Sequence, residues 1–285
     1  MPEGVEIALY SDELVKNLHR NGKWLKLAYL ANHTNPYKYI NIEALNPCLN
    51  KPLVDIFYKG KAFFLRFSND ISIKIHLMMS GSWSFYNYNL KELRNNSVED
   101  RLKIIEFMNR GKVLHTELEF IFVDEAEEIM VQVYYVNVRF GEVKIMTSEY
   151  ELAIELNKLA PGFLGKFIIT HEEWMYRITN LGKDRMLRRI LMEQDTLCSG
   201  IGLYLLVEIL YVAKLHPDCT LGHLSLEMMS QLYHICLYVI RGHYEGKLEK
   251  VIYQKSICPN GHAITKPKKG NRSMHHCEAE QIIGK

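Results

Sequence analysis

Three groups of residues have the types and spacing to do chemistry. The first opens the chain: Met1-Pro2-Glu3-Gly4-Val5-Glu6. Initiator methionine is normally removed before a small second residue, which would leave Pro2 as a secondary amine. An α-amino group has a pKa of roughly 8 against roughly 10.4 for lysine, so far more of it is unprotonated and nucleophilic at neutral pH. Attack on an aldehyde carbon would give an iminium ion, an electron sink for later eliminations. Glu3 beside it could act as a general acid, and Glu6, one helical turn on, could hold a second position in the same site. An acidic first turn also simply suits a helix dipole. The second group is Gly200-Ile201-Gly202, a tight turn opening an apolar helix, where backbone N–H groups can hold a phosphate. The third is Cys258-Pro-Asn-Gly-His262 with Cys277-Glu-Ala-Glu280. Thiolate, imidazole and carboxylate are all zinc ligands, so Cys258, His262, Cys277 and Glu280 make a two-plus-two candidate set, with His275, His276 or a water as other fourth ligands.

These groups need elements to position them. The 285 residues are 48% hydrophobic and 24% charged, enough for a real core in one or two domains, which excludes a disordered chain and a small disulfide scaffold. Six scattered cysteines point to thiols or a metal site. The formal charge is only +2, but residues 251–285 hold six Lys/Arg against two Glu, a local balance of +4 that favours a polyanion. No apolar run reaches a membrane span and no signal peptide opens the chain, so an intracellular protein is expected. Residues 1–20 read as an amphipathic helix ending at Asn21-Gly22. Segments 23–30, 53–58, 61–67, 71–78, 101–108, 112–120, 129–136 and 140–146 read as strands, which predicts a β-sandwich. Helical periods follow at 148–158, 171–180, 184–193, 203–214 and 224–242. The expectation is an α+β chain. It has an N-terminal β-sandwich with one helix (1–147), a helical domain (148–250), and a Cys/His hairpin module (251–285).

The ordered motifs resemble those of the formamidopyrimidine-DNA glycosylase and endonuclease VIII (Fpg/Nei) family, from end to end. The N-terminal Met-Pro-Glu-Gly is similar to the family start. Tyr58-Lys-Gly-Lys61 resembles its hairpin lysine, and His76-Leu-Met-Met79-Ser-Gly81-Ser82 its His-Leu-x-Met-Ser-Gly-Ser strand. Arg139-Phe140-Gly141 resembles the Arg-Phe-Gly loop, Leu159-Ala-Pro161 the Leu-Gly-Pro opening the second domain, and Gly200-Ile-Gly202 to Tyr211 the helix-two-turn-helix. Tyr253 to His262 looks most like the Nei-like branch with a Cys-x3-His finger.

The resemblance implies a bifunctional DNA glycosylase and AP lyase. Pro2 would be the Schiff-base nucleophile, Glu3 the general acid, Glu6 a supporting residue and Lys61 a phosphate or sugar ligand. Met79 and Phe140 would fill the space left by a flipped nucleotide, with Arg139 facing the opposite strand. Gly200, Gly202, Lys255 and Arg272 would meet DNA. One structural zinc ion, damaged DNA as partner and a monomer are implied, with no catalytic cofactor. Three positions depart from the family pattern: Leu203 stands where an Asn binds phosphate, Asn137-Val138 precedes the Arg-Phe-Gly, and Glu280 replaces the last zinc cysteine. Only ten residues separate Gly242 from Tyr253, too few for a long lid, which favours oxidised pyrimidines and hydantoin lesions. The alternative is a non-catalytic DNA-binding protein using the helix-two-turn-helix and finger alone.

Overall fold

Alternation of apolar and polar residues in the first half of the chain produces two four-stranded sheets that make the β-sandwich. The computed structural model describes residues 2–32, 42–77, 82–89, 116–136, 142–269 and 272–283. The first helix, α1 (Gly4–Leu18), is followed by the short strands β1 (His19–Arg20) and β2 (Lys23–Trp24), then β3 (Lys26–Asn32). A 3-10 turn, Ile42–Cys48, precedes β4 (Leu53–Lys59), β5 (Ala62–Phe67) and β6 (Ser72–His76). After these come β7 (Ser82–Asn89), β8 (Thr116–Val123), β9 (Ile129–Val136) and β10 (Glu142–Met146).

The strand orders are β10-β6-β5-β4 and β3-β8-β9-β7. Leu118, Phe120 and Phe122 on β8, and Val131, Val133 and Tyr135 on β9, are buried at alternate positions, and Glu119 and Gln132 between them are buried as well. Glu119 points the other way and accepts the Gln132 amide at 2.6 Å across the pair. Strand β5 is buried on both faces, with Phe63 and Phe64 fully covered.

The second half is helical: α2 (Glu149–Asn157), α3 (His171–Thr179), α4 (Leu187–Met192), α5 (Leu203–Val212) and α6 (Leu226–Tyr244). Helix α5 is buried on all sides from Tyr204 to Leu210, the condition its nearly uninterrupted apolar sequence demands. Trp174 packs against Phe163 and Tyr233 in the same core and donates its indole N–H to the Met229 carbonyl at 2.9 Å. A two-stranded hairpin, β11 (Lys268–Lys269) and β12 (Arg272–Ser273), lies near the end.

The predicted helices and most predicted strands have observed counterparts. The strand predicted at 101–108 lies outside the described residues. Strand β7 was not predicted, because its Ser-Trp-Ser-Phe-Tyr-Asn-Tyr-Asn sequence mixes turn formers with aromatics. The helix predicted at 184–193 is shorter, because the Arg185 N–H closes a turn on Gly182 before Leu187. The chain divides into two compact units. One holds residues 1–2, 9–58 and 62–154; the other holds Glu3–Ala8, Lys59–Lys61 and Glu155–Lys285. The first turn of α1 and the tip of the β4–β5 hairpin thus group with the helical half. Among the described residues no helix is long and apolar enough to cross a membrane.

Candidate active site and metal centre

Helix α5 begins at Gly202, which has no side chain to cap it. The vacancy at the helix N-terminus is filled from the other end of the chain. Both carboxylate oxygens of Glu3 accept from the first turn: Oε2 from Gly202 N–H at 2.9 Å and Leu205 N–H at 3.1 Å, and Oε1 from Tyr204 N–H at 2.9 Å. The sequence predicted an anion at this turn and assigned it to phosphate. The Gly202 donor is instead taken by Glu3, and the Gly200 N–H is taken by Gln194 Oε1 at 2.8 Å. The two glycines shape the turn and let the backbones meet. Gly4 N–H donates to the Gly200 carbonyl at 2.8 Å, and Gly200 has φ of +98°. A methyl group on Gly202 would lie 2.3 Å from Glu3 Cδ.

Glu3 is only 3% exposed, and burial raises its pKa above the ordinary carboxylate value. The Lys61 charge and the N–H groups of Tyr204 and Leu205 pull it down, and Glu6 pushes it up. Oε1, with one such donor, keeps a lone pair for a proton. Glu6 Oε2 accepts the Glu3 N–H at 3.0 Å. The Tyr204 hydroxyl also bonds Glu6, and burial, with the charges of Glu6 and Glu3, drives its pKa upward, so it stays neutral. Lys61, 8% exposed, follows the hairpin turn at Gly60, and Lys59 Nζ donates to the Leu156 carbonyl at 2.8 Å.

Glu3, Glu6, Lys61, Gly200 and Gly202 therefore belong to one cluster, one peptide bond from Pro2. Met79, Arg139 and Phe140 lie outside the described residues. Lys255 is exposed on the turn after Ile252, and Arg272 lies on β12. Sequence reading missed Gln194. Its amide accepts from Gly200 N–H and donates to the carbonyls of Ile201 at 3.1 Å and Met192 at 2.7 Å. Only its place six residues before the glycine turn could have signalled it. Glu208 was also missed, hidden as a lone charge in an apolar helix. It is buried and accepts from the N–H groups of Val251, Ile252 and Tyr253 at 3.0, 3.0 and 2.8 Å.

In the C-terminal module, ligand atoms of Cys258, His262 and Cys277 lie within 4.8 Å of one another. Cys258 Sγ is 3.6 Å from His262 Nδ1, and Glu280 Oε1 is 3.4 Å from the same nitrogen. Around a tetrahedral zinc ion with bonds of about 2.0–2.3 Å, such edges are about 3.6 Å for sulfur to nitrogen and about 3.3 Å for nitrogen to oxygen. Cys258, His262 and Cys277 fit three corners of such a site, and Glu280 approaches it from the His262 side alone. Burial works to raise the Cys258 pKa, but hydrogen bonds from the His262 and Asn260 backbone, Cys277 and the His262 ring outweigh it and hold the thiol down to about 7. Asn260 Nδ2 donates to Glu280 Oε1 at 2.8 Å, orienting the carboxylate. His275 Nδ1 accepts the Gln254 N–H at 2.8 Å, and His276 belongs to a separate cluster.

The fold is that of the formamidopyrimidine-DNA glycosylases. The chain aligns with that enzyme from Lactococcus lactis, bound non-covalently to DNA containing an AP site, at a TM-score of 0.76 with 19% identity, over 98% of this chain and 99% of that one. In sequence it is similar to the formamidopyrimidine-DNA glycosylase of Mycoplasma mobile, 24% identical over 256 residues and 82% of each chain. It is similar also to endonuclease 8 of Pectobacterium carotovorum subsp. carotovorum, 24% identical over 249 residues, 87% of this chain and 81% of that one. No family model matches the chain.

Proposed function

We propose that this chain is a DNA glycosylase with AP lyase activity, working on damaged DNA through the amine of Pro2. The observation that carries the reading is Glu3. It is a buried carboxyl group with a raised pKa, fixed at a helix N-terminus beside Lys61, one residue from a proline that loss of Met1 would turn into an amine nucleophile. The Pro2 nitrogen lone pair bonds to C1′ of a flipped nucleotide, and the damaged base leaves with the electrons of the glycosidic bond. Glu3 gives the departing base its proton, takes up the proton that Pro2 loses on bonding to carbon, and passes it to the ring oxygen as the C1′–O4′ bond breaks, giving an iminium ion. Loss of a C2′ proton then expels the 3′ phosphate, and a second elimination expels the 5′ phosphate. Lys61 would bind phosphate or sugar, while Met79, Phe140 and Arg139 would fill and read the space left in the duplex. Gly200 and Gly202 would serve by shaping the turn, and Lys255 and Arg272 by meeting phosphate.

The preferred lesions in this reading are oxidised pyrimidines and hydantoins, supported by the short passage between α6 and Tyr253. Cys258, His262, Cys277 and Glu280 would hold one zinc ion, which would fix the fold of the finger. The test is borohydride trapping on DNA with a single abasic site, comparing the native chain with one extended before Pro2. A covalent adduct lost on extension is expected. Tight, salt-sensitive DNA binding without any adduct would instead establish a non-catalytic binding protein.

A further inference from the structure

Cys277 serves the thiolate cluster, while its two neighbours in the chain, His276 and Glu278, meet His216 in a second group whose ligand atoms all lie within 4.8 Å. His276 is 2% exposed, and its Nε2 has three electronegative neighbours: Glu278 Oε1 at 2.9 Å, His216 Nε2 at 3.1 Å and Thr265 Oγ1 at 3.1 Å. Its other nitrogen, Nδ1, is 3.3 Å from the Met274 carbonyl, which can only accept. A neutral imidazole has one N–H. Placed on Nδ1 it satisfies Met274 and leaves a lone pair at Nε2, which can accept a hydrogen bond from His216 Nε2, since His216 Nδ1 accepts the Asp218 N–H, but which also faces the Glu278 carboxylate oxygen. Placed on Nε2 it serves Glu278 and abandons Met274. A divalent cation among the three atoms satisfies both sides at once.

The spacings also suit an ion. Edges of 2.9 and 3.1 Å are slightly shorter than the ~3.3 Å of a tetrahedral zinc site with nitrogen and oxygen ligands. Behind His216, Asp218 Oδ2 lies 4.0 Å from Nδ1, and the other carboxylate oxygen lies 3.5 Å from Arg188 Nη2. A metal-bound His216 carries its proton on Nδ1, and a small ring rotation turns that proton to the carboxylate, in place of the present 3.1 Å contact with the Asp218 N–H. The backbone already joins the two segments involved. His216 N–H donates to the Ile282 carbonyl at 2.9 Å, Ile282 N–H to the Lys214 carbonyl at 3.1 Å, and Gln281 Nε2 to the Leu215 carbonyl at 2.8 Å.

We infer that His216, His276 and Glu278 form a second zinc site, distinct from the Cys258 cluster, with Thr265 Oγ1 or a water as fourth ligand. It cross-links the loop after α5 to the chain that leaves the finger. The inference is independent of the enzymatic reading. To test it, the full chain is stripped with a chelator, dialysed against zinc and assayed for bound metal per chain. Two equivalents are expected for the native chain and one for His216→Asn. Glu278→Gln, a change on a side chain 64% exposed, gives the same loss without threatening the core. With cobalt in place of zinc, the sulfur-to-metal charge-transfer band saturates at one equivalent while the d–d bands grow to two. One equivalent in the native chain that survives both substitutions overturns the second site, as does a second equivalent that survives them. One equivalent that survives Cys258→Ser but not His216→Asn upholds it, and removes the thiolate site instead.

Discussion

Glu3 carries opposing electrostatic influences that can be separated by substitution. Burial raises its pKa, the Lys61 charge lowers it and the Glu6 charge raises it. If Glu3 acts as an acid, base excision declines as pH rises through this elevated value. Removing the lysine charge in Lys61→Met takes away a lowering influence, so the decline moves to higher pH. Neutralising Glu6 in Glu6→Gln takes away a raising influence and keeps an oxygen to accept the Glu3 N–H, so the decline moves to lower pH. Single-turnover excision measured against pH reads both, whatever either variant does to the maximal rate. A limb that stays in place in both variants rules out Glu3 as the titrating acid. Position matters as much as ionisation. In Gly202→Ala the new methyl would lie 2.3 Å from Glu3 Cδ, so the carboxyl must shift by a sizeable fraction of an ångström. A displacement of that order costs roughly 100-fold in rate, with duplex binding retained.

At the level of elements, one end of α5 holds the site and its middle holds the module that follows. Gln194 clamps the turn by one accepted and two donated hydrogen bonds, and that turn receives Gly4 and Glu3. Gln194→Ala is expected to lower the excision rate about tenfold, equivalent to about 1.4 kcal/mol of lost positioning, with Glu the poor substitute because it cannot donate to Ile201 and Met192. Glu208 does the corresponding work for residues 251–253. Its replacement by Ala leaves three N–H groups without their acceptor, at about 1–3 kcal/mol for each that stays buried. A loss of about 3 kcal/mol or more in urea-unfolding free energy is expected; a loss under about 1 would mean that water replaces the carboxylate. These contacts mark the boundary of what sequence can reveal. Periodicity exposed α1, α5, α6 and most strands, because amphipathic repeats are local. The candidate catalytic residues were legible for a similar reason, being clustered in short motifs. Gln194 was not, because a lone amide ahead of a glycine turn belongs to no motif although its partners are within seven residues, and Glu208 was not, because its partners are set by the path of the chain, more than forty positions away. The anion at the Gly200–Gly202 turn was foreseen by chemistry and misassigned in source, since nothing local says that it comes from residue 3.

For the whole molecule, charge is close to balanced, at +2, so the DNA binding of the proposed function would have to come from where cations stand rather than from how many there are. The C-terminal 35 residues carry a balance of +4, with Lys266, Lys268, Lys269 and Arg272 in the finger. Each phosphate neutralised by such a cation releases condensed counterions, so the logarithm of the DNA association constant falls against the logarithm of salt by roughly 0.9 per contact in duplex DNA. Arg272→Ala is therefore expected to make the salt slope shallower by roughly that amount, and to weaken binding to damaged and undamaged duplex alike. Leu203→Asn provides the contrast. It introduces a neutral phosphate ligand at the start of α5, which strengthens binding without adding a charge, so affinity rises at every salt concentration with the slope unchanged. Fluorescence anisotropy with an abasic-site analogue, at four or more salt concentrations, separates the two effects. A slope unaltered by Arg272→Ala would exclude a direct phosphate contact by the fingertip and shift the electrostatic footprint to Lys61 and Lys255. The two substitutions thus distinguish an interface held by released counterions from one held by neutral hydrogen bonds, on a protein whose total charge favours neither.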